Sequence, residues 1–323
     1  MSAPKVLIVG CGNLGRWHIK GLETSKQDVT LFAADHSPMA MQNLTTFLEE
    51  HMGRSSNVHV VKIGLSDRDL SGLPKLDLVI VATTAKDRVS LISSLQRSIS
   101  ADCWLIEKLV EQTSENMRRI ALIMQGQTVY VNHPRRVMPL HRKLFSDLAG
   151  MQNVKLICRG PETIGIASNT SHFIDLLSWW CGGKPTHIKT DKLVQNWYQT
   201  KRAEFWDVSG TLEVEFDNAS ALKFTASSDF DKFLLEVQIG DELYCEVLES
   251  ENLIKYSDST CATVSTLSQS EMTGLILDKV IAEGQCELPE LRHSVQNNIL
   301  LIEALQEHWR RYGAVKDEML PIT

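Results

Sequence analysis

The stretch Val6–Gly15, VLIVGCGNLG, constrains the fold of this chain more than any other. Four apolar residues form a strand buried on both faces, and the chain then passes directly through Gly10-x-Gly12-x-x-Gly15 into a helical pattern. Each glycine has a task in that setting. Gly10 permits the tight turn, Gly12 lets main chain approach a pyrophosphate, and Gly15 lets helix and strand pack closely. The helix start then turns its free N–H groups toward the phosphates. A lone glycine pattern is an ordinary strand-to-helix turn; strand, loop and helix in this order predict dinucleotide binding.

The next hundred residues repeat the alternation. Strand-like runs at Lys5–Val9, Val29–Ala33, Val58–Ile63, Leu78–Ala82, Cys103–Ile106 and Thr128–Val131 interleave with helical patterns at Leu14–Thr24, Pro38–His51, Arg88–Ser98 and Ser114–Gln125. Six strands with intervening helices predict a doubly wound, Rossmann-type parallel sheet over residues 1–132. At 323 residues the chain is about twice a typical domain, so a second core is expected in 133–323. There the pattern changes. Helices are expected at Pro139–Leu148 and from Asn169 to Cys181, the latter stopped by Gly182-Gly183. Alternating runs follow at Val208–Phe216, Ser220–Ser227, Leu234–Ile239, Glu242–Leu248 and Leu253–Tyr256, as antiparallel hairpins require, and a final helix covers Leu291–Tyr312. The second domain therefore reads as α+β, with the last helix expected to pack back on the first.

Composition narrows the function. Lys and Arg number 33 against 40 Asp and Glu, a net charge of −7, which supplies no basic footprint for nucleic acid. Apolar runs fall well short of the ~20 residues of a membrane span, and the apolar start is too short for a secretory signal, so a cytoplasmic protein is expected. Seven scattered cysteines with no C-x-x-C pair predict free thiols and no metal site.

The candidate cofactor contacts are Gly10, Gly12, Asn13, Leu14 and Gly15 in the loop and helix start, Thr83 after the fourth strand, Glu107 and Lys108 after the fifth, and Asp35. Asp35 lies twenty residues past Gly15 at the end of the second strand, where a carboxylate accepts ribose hydroxyls and repels a 2′-phosphate. No Arg follows it, so NAD is preferred over NADP; helix capping before Pro38 is a compatible second task for Asp35. Glu107-Lys108 ends a strand at the ligand-facing edge, where an ammonium polarises a carbonyl, although such a pair also occurs as a solvated strand end. In Ser168-Asn169-Thr170-Ser171-His172, hydroxyl and amide groups are expected to cap a helix. That would put His172 in its first turn, where the dipole favours neutral imidazole, with Asp175 three residues on. Trp197, Tyr198 and Trp206 are candidates either for sugar stacking or for sheet packing.

GCGNLGRWH at Gly10–His18, the strand ending in Asp35, Glu107-Lys108, NHPRRVMP at Asn132–Pro139, the SHFIDLLSWWCG helix from Ser171 and the late LPELRHSVQNNILLIEAL segment together resemble the Gfo/Idh/MocA oxidoreductase family over nearly the whole chain. The resemblance implies a Rossmann domain followed by a domain with a large, open, mostly antiparallel sheet, assembled as a homodimer or homotetramer. It implies hydride transfer between NAD(P) and a hydroxyl or carbonyl carbon of a sugar, sugar derivative or polyol, with Lys108 and His172 catalytic and Arg136, Ser168, Asn169 and Asp175 as substrate contacts. Four departures stand out, the first being Thr84, which stands where many members have proline after the fourth strand. Leu109 replaces the proline of the Glu-Lys-Pro pattern, Asp87-Arg88 occupy a region where many members carry a histidine, and Ser168 replaces an aspartate four residues before the histidine. They leave open two further functions, a non-catalytic dinucleotide-binding regulator or scaffold and a reductase of a non-sugar ring such as a linear tetrapyrrole.

Overall fold

The structure, a computed structural model, describes residues 3–53, 55–264, 271–315 and 319–323. The chain begins with β1 (Lys5–Val9), α1 (Asn13–Gly21), β2 (Val29–Ala34), α2 (Pro38–His51), β3 (Val58–Ile63), α3 (Asp67–Ser71), β4 (Leu76–Val81), α4 (Arg88–Ser98), β5 (Ala101–Glu107), α5 (Ser114–Ile123) and β6 (Val129–Asn132). The six strands form one sheet in the order β3-β2-β1-β4-β5-β6, every pair parallel. This is the doubly wound arrangement, with the order reversing beside β1. Val6, Leu7, Ile8, Leu78, Val79 and Ile80 are fully buried, which explains why these strands read as continuous apolar runs.

The chain continues through α6 (Pro139–Leu148), β7 (Val154–Gly160), α7 (Ile166–Cys181), β8 (Pro185–Leu193), β9 (Tyr198–Gln199), β10 (Trp206–Asp207), β11 (Gly210–Phe216), β12 (Ala221–Ala226), β13 (Leu234–Ile239), β14 (Glu242–Leu248), β15 (Leu253–Tyr256) and β16 (Cys261–Thr263), then α8 (Met272–Glu283) and α9 (Leu291–Tyr312). Eight strands make the second sheet, β16-β15-β14-β13-β7-β12-β11-β8, antiparallel except where β12 runs parallel to β7. Leu156, Cys158, Leu222, Phe224, Leu235 and Val237 bury one face, and Phe173 of α7 meets Phe224 edge-on at 5.2 Å. The other residues of these strands carry cross-strand ion pairs, among them Lys192–Glu213 at 3.0 Å and Arg159–Glu236 at 2.7 Å.

Two compact units divide the chain. The first comprises residues 1–111, 118–134 and 267–292, the second 112–117, 135–266 and 293–323. The segment that joins the first unit thus contains α8 and only the first two residues of α9, whereas the sequence directed attention to the last helix. Gly274 explains why α8 escapes a pattern reading, since glycine weakens a helical signal. A Cβ at 274 would strike Ser25 N and Thr24, so the residue is needed for close packing. Ser25 Oγ donates to Asp278 at 2.6 Å and Thr24 Oγ1 to the Glu271 carbonyl at 2.8 Å, which fixes α8 to the turn after α1. Beyond α8, Val131 N donates to Pro289 O and covers the open edge at β6. β8 was also absent from the expected strands; as an edge strand rich in Lys, Thr and Asp it has little apolar alternation to show.

The seven cysteines are unpaired, and among the described residues no cluster of His, Cys, Asp and Glu could hold a metal ion. No described helix is long and apolar enough to cross a membrane.

Candidate active site

In the first unit the site is built where β1 gives way to α1. Gly10 has φ +101°, and a Cβ there would lie 2.8 Å from the main chain of Ala82 and Thr83; a Cβ on Gly15 would collide with the Gly10 carbonyl. A Cβ on Gly12 would meet nothing within 4 Å, so the space over the turn is open. Gly12 is the N-cap of α1, no side chain caps it, and no acidic residue stands in the first turn. The amides of Asn13, Leu14 and Gly15 are therefore the first of an uncapped helix, the arrangement that suits a diphosphate.

Asp35 follows β2 and is oriented by two main-chain donors, Cys11 N to Oδ2 at 2.7 Å and Ser37 N to Oδ1 at 2.8 Å. Each carboxylate oxygen keeps a lone pair for a hydroxyl. Ser37, not Asp35, caps α2 through Ala40 N. Burial pushes the Cys11 thiol up to about 12, so this cysteine is an inert part of the loop. The residues present therefore fit a dinucleotide.

At the carboxyl ends of β4 and β5 stand Thr83, Glu107 and a half-buried Lys108. Glu107 turns its carboxylate inward. Oε1 accepts from His18 Nε2 at 2.8 Å and from Asn132 Nδ2 at 2.5 Å, while His18 Nδ1 meets Thr273 Oγ1 at 2.9 Å. Burial alone would raise this carboxyl, but the hydrogen bond and charge of His18, with Asn132 and Arg88, hold it below the ordinary value. His18, Asn132 and Thr273 were not among the sequence candidates. His18 is three residues past Gly15 on the buried face of α1, which periodicity reads only as a core position.

In the second unit, α7 begins three residues earlier than the sequence indicates, with Gly165 as N-cap. His172 consequently lies in the second turn, beyond the free amides, and the expected first-turn dipole effect does not apply. The cap comes from a distant residue. Asp207 on β10 accepts from Ala167 N at 2.7 Å, Ser168 N at 3.3 Å and Ser168 Oγ at 2.6 Å. Burial raises the Asp207 carboxyl despite these donors. Local pattern could not reveal a cap supplied from 39 residues away. Asn169 Nδ2 donates to the carbonyls of Ile164 and Gly165 and so secures the turn before the helix.

Arg136 and Asp175 are both buried and pair with each other through two bonds, Nε–Oδ2 at 2.8 Å and Nη2–Oδ1 at 2.7 Å. Beside them Arg135 grips Glu249 at 2.7 and 2.9 Å, and fully buried His141 reaches Glu249 Oε1 at 2.6 Å. Trp197 is buried edge-on against Trp309 at 5.1 Å and donates to His308, while Trp206 lies 5.8 Å from Trp309. Of the two alternatives for these indoles, packing is the one observed.

No family model matches the sequence, and a search of curated proteins finds no match. Solved structures do match over almost the whole chain. An oxidoreductase from Thermotoga maritima has a TM-score of 0.70 at 16% identity, covering 97% of each chain. UDP-N-acetylglucosamine 3-dehydrogenase from Acidithiobacillus ferrooxidans gives 0.69 at 16% identity, covering 98% of this chain and 99% of that one. Scyllo-inositol dehydrogenase from Lactobacillus casei, solved with NAD(H) and scyllo-inositol, gives 0.65 at 12% identity over 95% and 97%. The chain shares their fold. That likeness agrees with the fold expected from the family resemblance, an N-terminal Rossmann-type sheet followed by a mixed-sheet domain.

Proposed function

We propose that the protein is an NAD-dependent oxidoreductase acting on a CH–OH group of a sugar, sugar derivative or polyol. The observation that carries this reading is the uncapped start of α1 under an open glycine turn, with Asp35 held beside it by Cys11 N. Asp35 supports NAD over NADP, because a 2′-phosphate would meet a carboxylate. The neighbours named for UDP-N-acetylglucosamine and scyllo-inositol support the substrate class.

The nicotinamide supplies the hydride acceptor or donor when bound. Lys108 donates a hydrogen bond to the reacting oxygen and stabilises developing alkoxide, and His172 takes or gives the proton. Glu107 carries no proton in this scheme; it is held ionised by His18 and Asn132 at the base of the Lys108 loop. The protein is further assigned to the cytoplasm and to a homodimer or homotetramer, the latter checked by light scattering.

Isothermal titration with NADH and NADPH tests the cofactor, and a panel of cyclitols, sugars and nucleotide sugars tests turnover. Lys108→Met should abolish turnover, a loss of about 10²-fold or more, and leave NADH binding nearly intact; retained turnover overturns its role. A non-catalytic, dinucleotide-binding reading is favoured by one observation: the mutual pairing of Arg136 and Asp175 and the engagement of Ser168 by Asp207 leave fewer polar groups for substrate. It predicts NADH binding with no turnover across the panel.

A further inference from the structure

Arg88 opens α4 and is 1% exposed. A guanidinium buried this deeply is usually answered by a carboxylate in a two-pronged pair. Its bonds run instead to four main-chain carbonyls and one hydroxyl. Nη2 donates to Thr83 O, Nη1 donates to the carbonyls of Glu107 and Leu109 and, at 3.2 Å, to that of Val110, and Nε reaches Thr83 Oγ1 at 3.4 Å. Burial lowers the guanidinium to about 10, with Glu107 and Glu111 opposing the shift, so it remains a cation at neutral pH.

The acceptors belong to two loops that leave the carboxyl ends of neighbouring parallel strands, β4 and β5. In a doubly wound sheet that edge faces the ligand. Lys108 lies between two of them, with the carbonyl before it and the carbonyl after it bonded to the same nitrogen. Charge-assisted donors are roughly twice as strong as neutral ones, and only a planar fork with five N–H groups can serve both loops together; an ammonium is a point.

We propose that Arg88 is the positioning residue for Lys108, a buried fork that ties the β4 and β5 loops together and sets where the Lys108 amine is presented. The assignment rests on the role given to Lys108 above. Leu109 supplies no ring to restrict the main chain here, and Arg88 restrains it from the side.

Hydrogen exchange and selective labelling test this on the whole chain. Arg88→Met keeps much of the length and removes the donors; Arg88→Lys keeps the charge and loses the fork. Both should exchange about tenfold faster in peptides covering 83–87 and 107–112, with β1 and β2 unchanged. After reductive methylation with ¹³C-formaldehyde, the Lys108 signal, assigned by its loss in Lys108→Met, should be a single sharp resonance in the wild type and shift and broaden in Arg88→Met. Should Arg88→Met fail to fold, exchange in Arg88→Lys decides. Unchanged loop exchange and an unchanged Lys108 signal overturn the proposal, as does protection lost evenly across the parallel sheet, which would mark Arg88 as general support. A wild type that binds no NADH would instead sink the proposed function, leaving loop exchange and the Lys108 signal to decide on Arg88.

Discussion

Asp35 shows how main chain can fix the orientation of one side chain. Two amides hold its oxygens, one of them from the glycine turn itself, so under the proposed function orientation of the carboxylate would cost little on binding. Asp35→Ala should weaken NADH binding about tenfold, near 1.4 kcal/mol, and spare NADPH, narrowing the preference; titration calorimetry with both nucleotides reads this. Gly15→Ala should be harsher, since the added methyl would enter the Gly10 carbonyl and shift the turn. A loss of NADH affinity of more than about tenfold, with a lower melting temperature, is expected. Positions such as these were legible in the amino-acid string because their demands are local. Arg136 and Asp175 were not, for the opposite reason: 39 residues separate them, and nothing in either neighbourhood says that each is the other's partner.

Among the elements, α7 depends on its borrowed cap. Ile166 and Ala167 offer no side-chain acceptor, and Asp207 on β10 takes that place. Removing it with Asp207→Ala should destabilise the second unit by about 1–2 kcal/mol, seen as a shift of the urea midpoint. Asp207→Asn should lose less, because burial already disfavours the charged carboxyl and an amide oxygen still accepts. The end of α7 was predictable from Gly182, which has φ +73° and closes the helix by its own conformation. Its beginning was not. The Ser-Asn-Thr run looks like a cap but lies inside the helix, where Thr170 bonds back to Ile166 O and Ser168 turns to β10.

For the molecule as a whole, stability should depend on pH through the buried His141–Glu249–Arg135 group. Burial lowers the His141 imidazole from its usual 6.5, even with Glu249 beside it. Arg135 and His141 together hold the Glu249 carboxyl far below its usual 4.5, against the effect of burial. Both folded values lie below the unfolded ones, so both contributions are present at neutral pH and are lost as pH falls. His141 acts first, once the unfolded chain takes up its proton below about 6.5, and Glu249 follows below about 4.5. Thermal melts between pH 7.5 and 5 should show a falling midpoint, and His141→Gln, which keeps a donor for Glu249 and cannot titrate, should flatten that slope. An unchanged slope would mean the loss arises elsewhere.

Taken by itself, the amino-acid sequence determined the two sheet types, most helix limits and the glycine turn between β1 and α1. Apolar periodicity and glycine placement act within a few residues and need no partner. Tertiary structure alone decided which polar groups are spent on one another. Glu107 goes to His18 and Asn132, Ser168 to Asp207, Arg136 to Asp175, and Arg88 to two loops. It also carried α8, from the far end of the sequence, back to the first helix. Buried polar groups must find partners wherever the folded chain brings them, and sequence separation places no limit on that search.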